Sequence, residues 1–222
     1  MSIKLRVDSF VSLPFEENSY IVRKDGEKEC FVVDPGFEPD LLLQRIDDLD
    51  LEVTAILNTH GHVDHIAGNG AMKERFPTAP LIIGAGDARM LTDPFLNLSA
   101  LGGVSVVSPP ADYLVHDGQM LEVLGLQWEV KSIPGHSPGH VVFIWNEGNP
   151  PIVFGGDVLF AGSVGRADFP GGDGRLLISG IRSKLYCLPP ESIVYPGHGT
   201  PTSVGEEMAT NPFTTGRFSM FD

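Results

Sequence analysis

The sequence predicts an α/β fold in which a mixed sheet is covered by helices. Strand-like and helix-like patterns interleave along the 222 residues, and hairpin patterns are frequent, as at 119–133 around Gly125. Gly (26) and Pro (18) exceed typical usage, which indicates many short strands and structured loops. Interleaved helices favour a covered sheet, while hairpins require antiparallel pairs. Because no Pro/Gly/Ser-rich linker divides the chain, we predict a single domain over residues 1–222.

The individual elements follow from hydrophobic periodicity and from the turn residues that bound each segment. Besides the hairpin, strands are predicted at 3–10, 19–24, 29–33, 52–57, 80–84, 140–145, 152–154 and 192–195. Helices are predicted at 39–50, 65–76 and 175–188, with mixed helix and loop at 85–101.

Composition argues against several classes of partner. The formal net charge is -14, with only 15 Lys and Arg, and such a field repels nucleic acid and anionic membrane surfaces. The N-terminus alternates like a strand and has no signal-peptide pattern, so we expect a cytoplasmic protein. Cys30 and Cys187 lie in apolar runs and are predicted to be buried, reduced thiols. The oligomeric state is left open.

Three of the seven histidines lie within six residues, in His60-Gly-His62-Val-Asp64-His65. This segment follows an apolar β run and therefore forms a strand-to-helix loop. His60 and His62 can converge on one metal ion, while Asp64 and His65 can point to a second. Imidazole nitrogen and carboxylate oxygen suit zinc, iron, manganese or cobalt.

Three further strand ends carry the same residue types. His136, Asp157 and His198 each follow a strand and a segment rich in Gly or Pro. Four such strand ends predict a metal site at one edge of a sheet. Of the remaining histidines, we assign His116 to the surface and His140 to a hydrogen bond that supports a ligand.

These motifs resemble those of the metallo-β-lactamase superfamily. The segment 59–65 is similar to its metal-binding signature, and 134–140, Gly156-Asp157 and Gly197-His198 match its later motifs in order. Asp34-Pro-Gly resembles the strand-end motif that the family places beneath the metals. Residues 155–170 are closest to the glyoxalase II-like (hydroxyacylglutathione hydrolase-like) members.

The resemblance implies a four-layer αββα sandwich, with two mixed sheets packed between helices. It also implies two divalent ions, zinc being favoured and iron or manganese possible. The first ion is assigned His60, His62 and His136, the second Asp64, His65 and His198, and Asp157 bridges them. Asp34 and His140 are expected to support the ligands by hydrogen bonds.

The activity implied is hydrolysis of a small acyl thioester, such as S-lactoylglutathione, by a metal-bridging hydroxide. Asp64 and Asp157 act in catalysis as ligands. A thiol with a pKa near ~8.5 leaves readily as thiolate, so no strong general acid is needed.

Two features depart from the longer glyoxalase II enzymes. Only residues 199–222 follow His198, too few for the C-terminal helical domain that helps to hold glutathione. Arg166 and Asp168 stand where those enzymes have a substrate-binding Lys and Tyr. Arg166 either grips a substrate carboxylate or pairs with Asp168. The role of the tail, 211–222, is left open.

The ligand residues alone leave other functions open. A persulfide dioxygenase of the same fold would hold one Fe(II) with His60, His136 and Asp157. Lactonase or phosphodiesterase activity is a weaker alternative. A true β-lactamase is disfavoured by Asp157, by the Asp64–His65 pair and by the lack of a secretory signal. A non-catalytic, metal-stabilised binding protein is disfavoured because structural zinc sites favour Cys, and the ligand set here has no thiolate.

Overall fold

The computed structural model describes residues 3–218, which form two six-stranded sheets and a two-stranded ribbon. The first sheet has the order β1-β2-β3-β4-β5-β6. Its strands are β1 (Leu5–Ser12), β2 (Glu17–Lys24), β3 (Glu29–Val33), β4 (Glu52–Asn58), β5 (Leu81–Gly84) and β6 (Tyr113–Val115). β1, β2 and β3 are antiparallel, and the pairs from β3 to β6 are parallel.

The second sheet has the order β14-β13-β10-β9-β8-β7. Its strands are β7 (Met120–Val123), β8 (Leu126–Ser132), β9 (Val141–Trp145), β10 (Ile152–Gly156), β13 (Ile193–Pro196) and β14 (Thr202–Ser203). Only β10 and β13 pair in parallel. The ribbon consists of β11 (Leu159–Phe160) and β12 (Ser163–Val164). Both large sheets are therefore mixed, as the sequence predicts.

The α-helices are α1 (Pro39–Asp48), α2 (Val63–Ile66), α3 (Asn69–Arg75), α4 (Gly174–Gly180) and α5 (Val204–Thr210). Ala85–Leu91 and Ser99–Gly102 are 3₁₀ helices, and α4 continues as a π turn over Ile181–Leu185. No helix in the described part of the chain is both long and apolar enough to cross a membrane.

Three buried layers hold the elements together. Between the two sheets lies an aromatic core that includes Phe31, Trp128, Phe143 and Phe154. The outer face of the first sheet packs against α1 and α3 through residues such as Ile46. The outer face of the second sheet packs against α4, the π turn and α5. Each sheet thus buries both faces, which explains why β9 and β10 are apolar throughout.

The sheets bring four strand ends to one edge of the sandwich. β10 and β13 run in parallel, and β8 has the same direction because β9 lies antiparallel to both β8 and β10. The chain leaves these strands toward His136, Asp157 and His198, while β4 of the facing sheet leads into His60. The predicted convergence on one edge follows from this topology.

One predicted helix and one predicted burial differ from the structure. The helix expected at 65–76 is divided into α2 and α3 at Gly68, whose N–H donates to the Pro35 carbonyl at 2.8 Å. A Cβ at Gly68 would lie 2.7 Å from the Gly36 carbonyl oxygen, so only glycine fits this approach. Cys187 is exposed rather than buried, because it lies past the π turn on the solvent side, whereas Cys30 is buried as predicted.

The expected hairpin at 119–133 is formed by β7 and β8. Leu124 and Gly125 make its two-residue turn, both with positive φ (56° and 64°), a combination typical of a tight hairpin. The sequence does not predict four short strands, β6, β11, β12 and β14, because two or three residues carry too little periodicity. It does not predict the helix α5 either.

Candidate metal centre

Three ring nitrogens meet at the first group of candidate ligands. His62 Nδ1 lies 2.8 Å from His136 Nε2, which lies 3.2 Å from His60 Nε2. All three side chains are buried, and their nitrogens fall within one metal-binding radius. These three residues form what we call the histidine group.

A second group combines a carboxylate with two imidazoles. Asp64 Oδ2 lies 3.4 Å from His198 Nε2 and 3.7 Å from His65 Nε2. His65 is fully buried, whereas the His198 side chain is 27% exposed. We call these three residues the acidic group.

Asp157 lies between the two groups. Its Oδ2 is 3.4 Å from His136 Nε2 and 3.5 Å from His198 Nε2, and its Oδ1 is 3.4 Å from His65 Nε2. One carboxylate therefore faces ligand atoms of both groups. This approach requires glycine at position 197, because a Cβ there would overlap the Asp157 carboxylate.

The unpaired atoms of the site fit metal ions. His65 Nε2 and Asp157 Oδ1 are buried and have no hydrogen-bond partner. Burial lowers the pKa of His60 well below its usual range and that of His62 to about 3. Both rings are thus neutral and keep a lone pair, the form that binds metals.

Carboxylates dominate the charge in the acidic group. Burial by itself would lower the pKa of His65, but Asp64, Asp157 and Asp34 raise it well above the ordinary value. Burial likewise favours protonated Asp64, but His65 and His198 hold its pKa below the usual range. Such a surplus of buried negative charge favours divalent cations.

A third combination, Asp34 with His60 and His65, also falls within metal-binding distance. Its ring nitrogens already have partners: His65 Nδ1 lies 3.1 Å from Asp34 Oδ2, and His60 Nδ1 lies 3.1 Å from the Thr59 hydroxyl. This cluster therefore supports the ligands from behind.

Asp34 and His140 form hydrogen bonds with the candidate ligands or with residues next to them. Asp34 accepts the backbone N–H of Thr59 at 2.7 Å and its hydroxyl at 2.6 Å, besides contacting His65 Nδ1. His140 Nε2 accepts the N–H of Asp157 at 3.0 Å. The predicted surface residue His116 is exposed.

Sequence reasoning missed three supports of the candidate ligands. The Arg166 carbonyl accepts a hydrogen bond from His136 Nδ1 at 2.8 Å, and the Glu16 carbonyl accepts one from His198 Nδ1 at 3.2 Å. Asp87 bonds to the loops that carry the histidine group. The first two contacts use backbone carbonyls, for which no side-chain motif could serve as a signal.

The Arg166 side chain lies at the rim of the site. Its guanidinium donates two hydrogen bonds to Asp168, at 3.0 and 2.9 Å, and stacks over the Phe169 ring at 4.4 Å. It is 66% exposed. The structure thus contains the Asp168 pair that the sequence analysis gave as one of two possibilities.

An open cavity of about 400 Å³ leads from solvent to the candidate ligands. Four of its lining residues are candidate ligands: Asp64, His136, Asp157 and His198. The others are the apolar Phe15, Phe160, Val164 and Phe169, together with Ser163 and Arg166. The candidate ligands are therefore reached from solvent past apolar side chains, with the Arg166 cation at the rim.

The family model of the metallo-beta-lactamase superfamily matches residues 13–198. The chain belongs to this superfamily. The match extends from the turn before β2 to His198 and so includes every candidate ligand. Both the resemblance and the αββα fold predicted from the motifs are confirmed.

Relatives within the superfamily include hydroxyacylglutathione hydrolase GloC of Haemophilus influenzae. It is 37% identical over 202 residues, covering 90% of this chain and 93% of the relative. The chain is therefore a member of a family of metallo-hydrolases with His and Asp groups suited to metal binding.

Two crystal structures from the superfamily are similar along nearly the whole chain. BLEG-1 B3 metallo-beta-lactamase has a TM-score of 0.90 at 36% identity, covering 95% of this chain and all (100%) of that one. TTHA1623, in a di-iron-bound form, has a TM-score of 0.81 at 36% identity, covering 93% and 100%.

Proposed function

We propose that this metallo-hydrolase holds two divalent ions and hydrolyses a small acyl thioester. The observation that carries the proposal is the position of Asp157, whose carboxylate lies 3.4 to 3.5 Å from ligand nitrogens of both groups. A site for one ion would be complete with the histidine group and Asp157, and it would leave the acidic group without a role. The similarity to a hydroxyacylglutathione hydrolase supports the thioester as the substrate class.

The histidine group would hold one ion, the acidic group the other, and Asp157 would contact both. Held there, the two ions would supply a bound water molecule of lowered pKa and Lewis-acid polarisation of the acyl carbonyl. His65 is fixed through Asp34, and His136 through the Arg166 carbonyl, so the ligand nitrogens are directed into the site.

The cavity walls would bind and orient the substrate. Phe15, Phe160 and Phe169 offer apolar surface to an acyl or thiol chain, and Arg166 offers a cation at the rim to a terminal carboxylate. Because thiolate is a good leaving group, the absence of a free acid among the described cavity-lining residues is compatible with the reaction.

The test is metal content by elemental analysis of protein purified without added metal, together with turnover of S-lactoylglutathione by the same sample. We expect two ions per chain and thioester hydrolysis. A single iron with oxygen uptake on glutathione persulfide would instead assign the dioxygenase. Because of the similarity to BLEG-1, a chromogenic β-lactam is tested as a second substrate. If the protein hydrolyses it faster than S-lactoylglutathione, the β-lactam replaces the thioester as the proposed substrate class.

A further inference from the structure

Asp87 is a buried carboxylate outside the set of candidate ligands. It lies in the 3₁₀ helix Ala85–Leu91, directly after β5, and has no exposed surface (0%). Its Oδ2 accepts the Gly61 N–H at 3.1 Å and the Ser137 hydroxyl at 2.5 Å, and its Oδ1 accepts the Gly139 N–H at 2.6 Å. Both oxygens are thus used.

The partners of Asp87 belong to the two segments that supply the histidine group. Gly61 lies between His60 and His62, and Ser137 directly follows His136. The first segment comes from the first sheet and the second from the facing sheet. One carboxylate therefore connects, across the two sheets, all three residues whose ring nitrogens meet within 2.8 to 3.2 Å.

Close backbone packing fixes Asp87 itself. A Cβ at Gly139 would overlap the Asp87 nitrogen, and a Cβ at Gly86 would lie 2.7 Å from the Gly139 Cα. The 3₁₀ helix and the 137–139 loop are therefore in direct backbone contact. A short Asp side chain is enough to bridge this gap, and little rotamer freedom remains to it.

We propose that Asp87 is a positioning residue that sets the distance between the His60–His62 segment and His136, and thereby the metal affinity of the histidine group. The inference rests on the proposed metal centre. It is specific to one group: Asp34 and the Glu16 carbonyl support His65 and His198, and the hydrogen bonds of Asp87 do not extend to either residue.

The variant Asp87→Asn keeps the side-chain volume but cannot accept all three bonds. If the amide nitrogen takes the Oδ1 position, it faces the Gly139 N–H, and two donors then oppose each other. If the nitrogen takes the Oδ2 position, it can donate to the Ser137 hydroxyl, but it then opposes the Gly61 N–H donor. In either orientation one buried backbone donor loses its acceptor, and the loop that contains this donor can shift.

The matched control is Glu207→Gln. Glu207 is also buried and accepts the Gly162 N–H at 3.0 Å, the Thr202 hydroxyl at 2.6 Å and the Asn211 amide at 2.8 Å. None of these partners is adjacent in sequence to a candidate ligand. The control reproduces the loss of a buried carboxylate without touching the ligand loops.

The experiment is a calorimetric titration of the metal-free proteins with Co²⁺, with visible absorption recorded in parallel. His62→Ala and His198→Ala identify which binding step belongs to which group. For Asp87→Asn we expect the affinity of the histidine-group step to fall about 10-fold, the lower end of the range for direct hydrogen-bond partners of metal ligands, because Asp87 acts through residues adjacent to the ligands. The acidic-group step should change less than about 3-fold, and Glu207→Gln should leave both steps unchanged.

Unchanged affinities in folded Asp87→Asn, with two ions still bound, would overturn this inference and leave the proposed function standing. If the wild-type protein takes up no ion at the histidine group, both fail together. Should Asp87→Asn not fold, Ser137→Ala decides the matter, since it removes one of the two hydrogen bonds between Asp87 and the 137–139 loop and keeps the carboxylate itself. An affinity loss of about 3-fold confined to the histidine group is expected from it, and none would refute the proposal.

Discussion

The two groups of candidate ligands differ in how the fold supports them. The histidine group is buried, and it is supported by the buried carboxylate of Asp87 and by the Arg166 carbonyl. The acidic group is rich in carboxylates, and its His198 is partly exposed and supported by the turn between β1 and β2. One half of the centre therefore relies on interior packing, and the other half on charge and a surface turn.

This difference predicts unequal metal affinities. Buried imidazoles whose ring nitrogens already face one another need little rearrangement to bind an ion. The acidic group gains more from the charge of the ion but exposes one ligand to water. Substitutions that affect one group and not the other separate these contributions.

The largest effect is expected where the groups meet. Asp157→Asn removes the charge that faces both groups while keeping the side-chain volume. We expect kcat/KM for the thioester to fall about 1,000-fold or more, since a metal centre supplies several kcal/mol and each 1.4 kcal/mol is tenfold. Elemental analysis should show fewer than two ions per chain. Wild-type turnover with both ions bound would contradict the central position of Asp157.

A direct comparison of the groups uses His62→Ala and His198→Ala. His62 is only 5% exposed, so water cannot readily take its place, whereas the His198 side chain is 27% exposed and a water molecule can. We expect the affinity of the affected step to fall about 100-fold for His62→Ala and about 10-fold for His198→Ala. Calorimetric titration measures both. Equal losses would mean that exposure does not distinguish the groups.

The loop that carries His198 can be loosened through Asn18, a buried residue of β2. Its side-chain amide donates to the carbonyls of Pro196 at 3.1 Å and Gly199 at 2.8 Å, on either side of His198. Asn18→Ala removes both bonds while the backbone bond to Gly197 stays. We expect the affinity of the acidic group to fall about 10-fold. The histidine group should be unaffected.

Asn211→Ala is the control for this variant. Its amide also donates two buried or partly buried bonds, to the Ser163 carbonyl and to Glu207, away from the ligand loops. It should cost stability of about 1 to 3 kcal/mol in denaturant unfolding without a change in metal affinity. A loss of affinity in both variants would point to general destabilisation.

The same contrast explains which parts of the site can be predicted from the sequence. The candidate ligands could be selected from the sequence because their segments follow strands, and strand ends of a sandwich meet at one edge, as for His60 and Asp157. Asp87 was not predictable: it bonds to residues 26, 50 and 52 positions away in a chain whose topology was not yet known. The division of the expected helix 65–76 at Gly68 has the same origin, a tertiary contact with Pro35. Local sequence patterns thus indicate candidate ligands, whereas long-range packing determines which residues support them.

The smallest expected effect concerns the rim, where Arg166 and Asp168 form a bidentate pair outside both groups. If Arg166 also binds a substrate carboxylate, then Asp168 competes with the substrate for the same guanidinium. We expect Arg166→Ala to raise KM for S-lactoylglutathione about 3- to 10-fold with kcat nearly unchanged, since the contact is the same in ground and transition states. Asp168→Asn should lower KM about 2-fold, because exposed ion pairs are weak. These opposite shifts, measured by steady-state kinetics, distinguish substrate binding from a surface ion pair, for which neither variant would move KM.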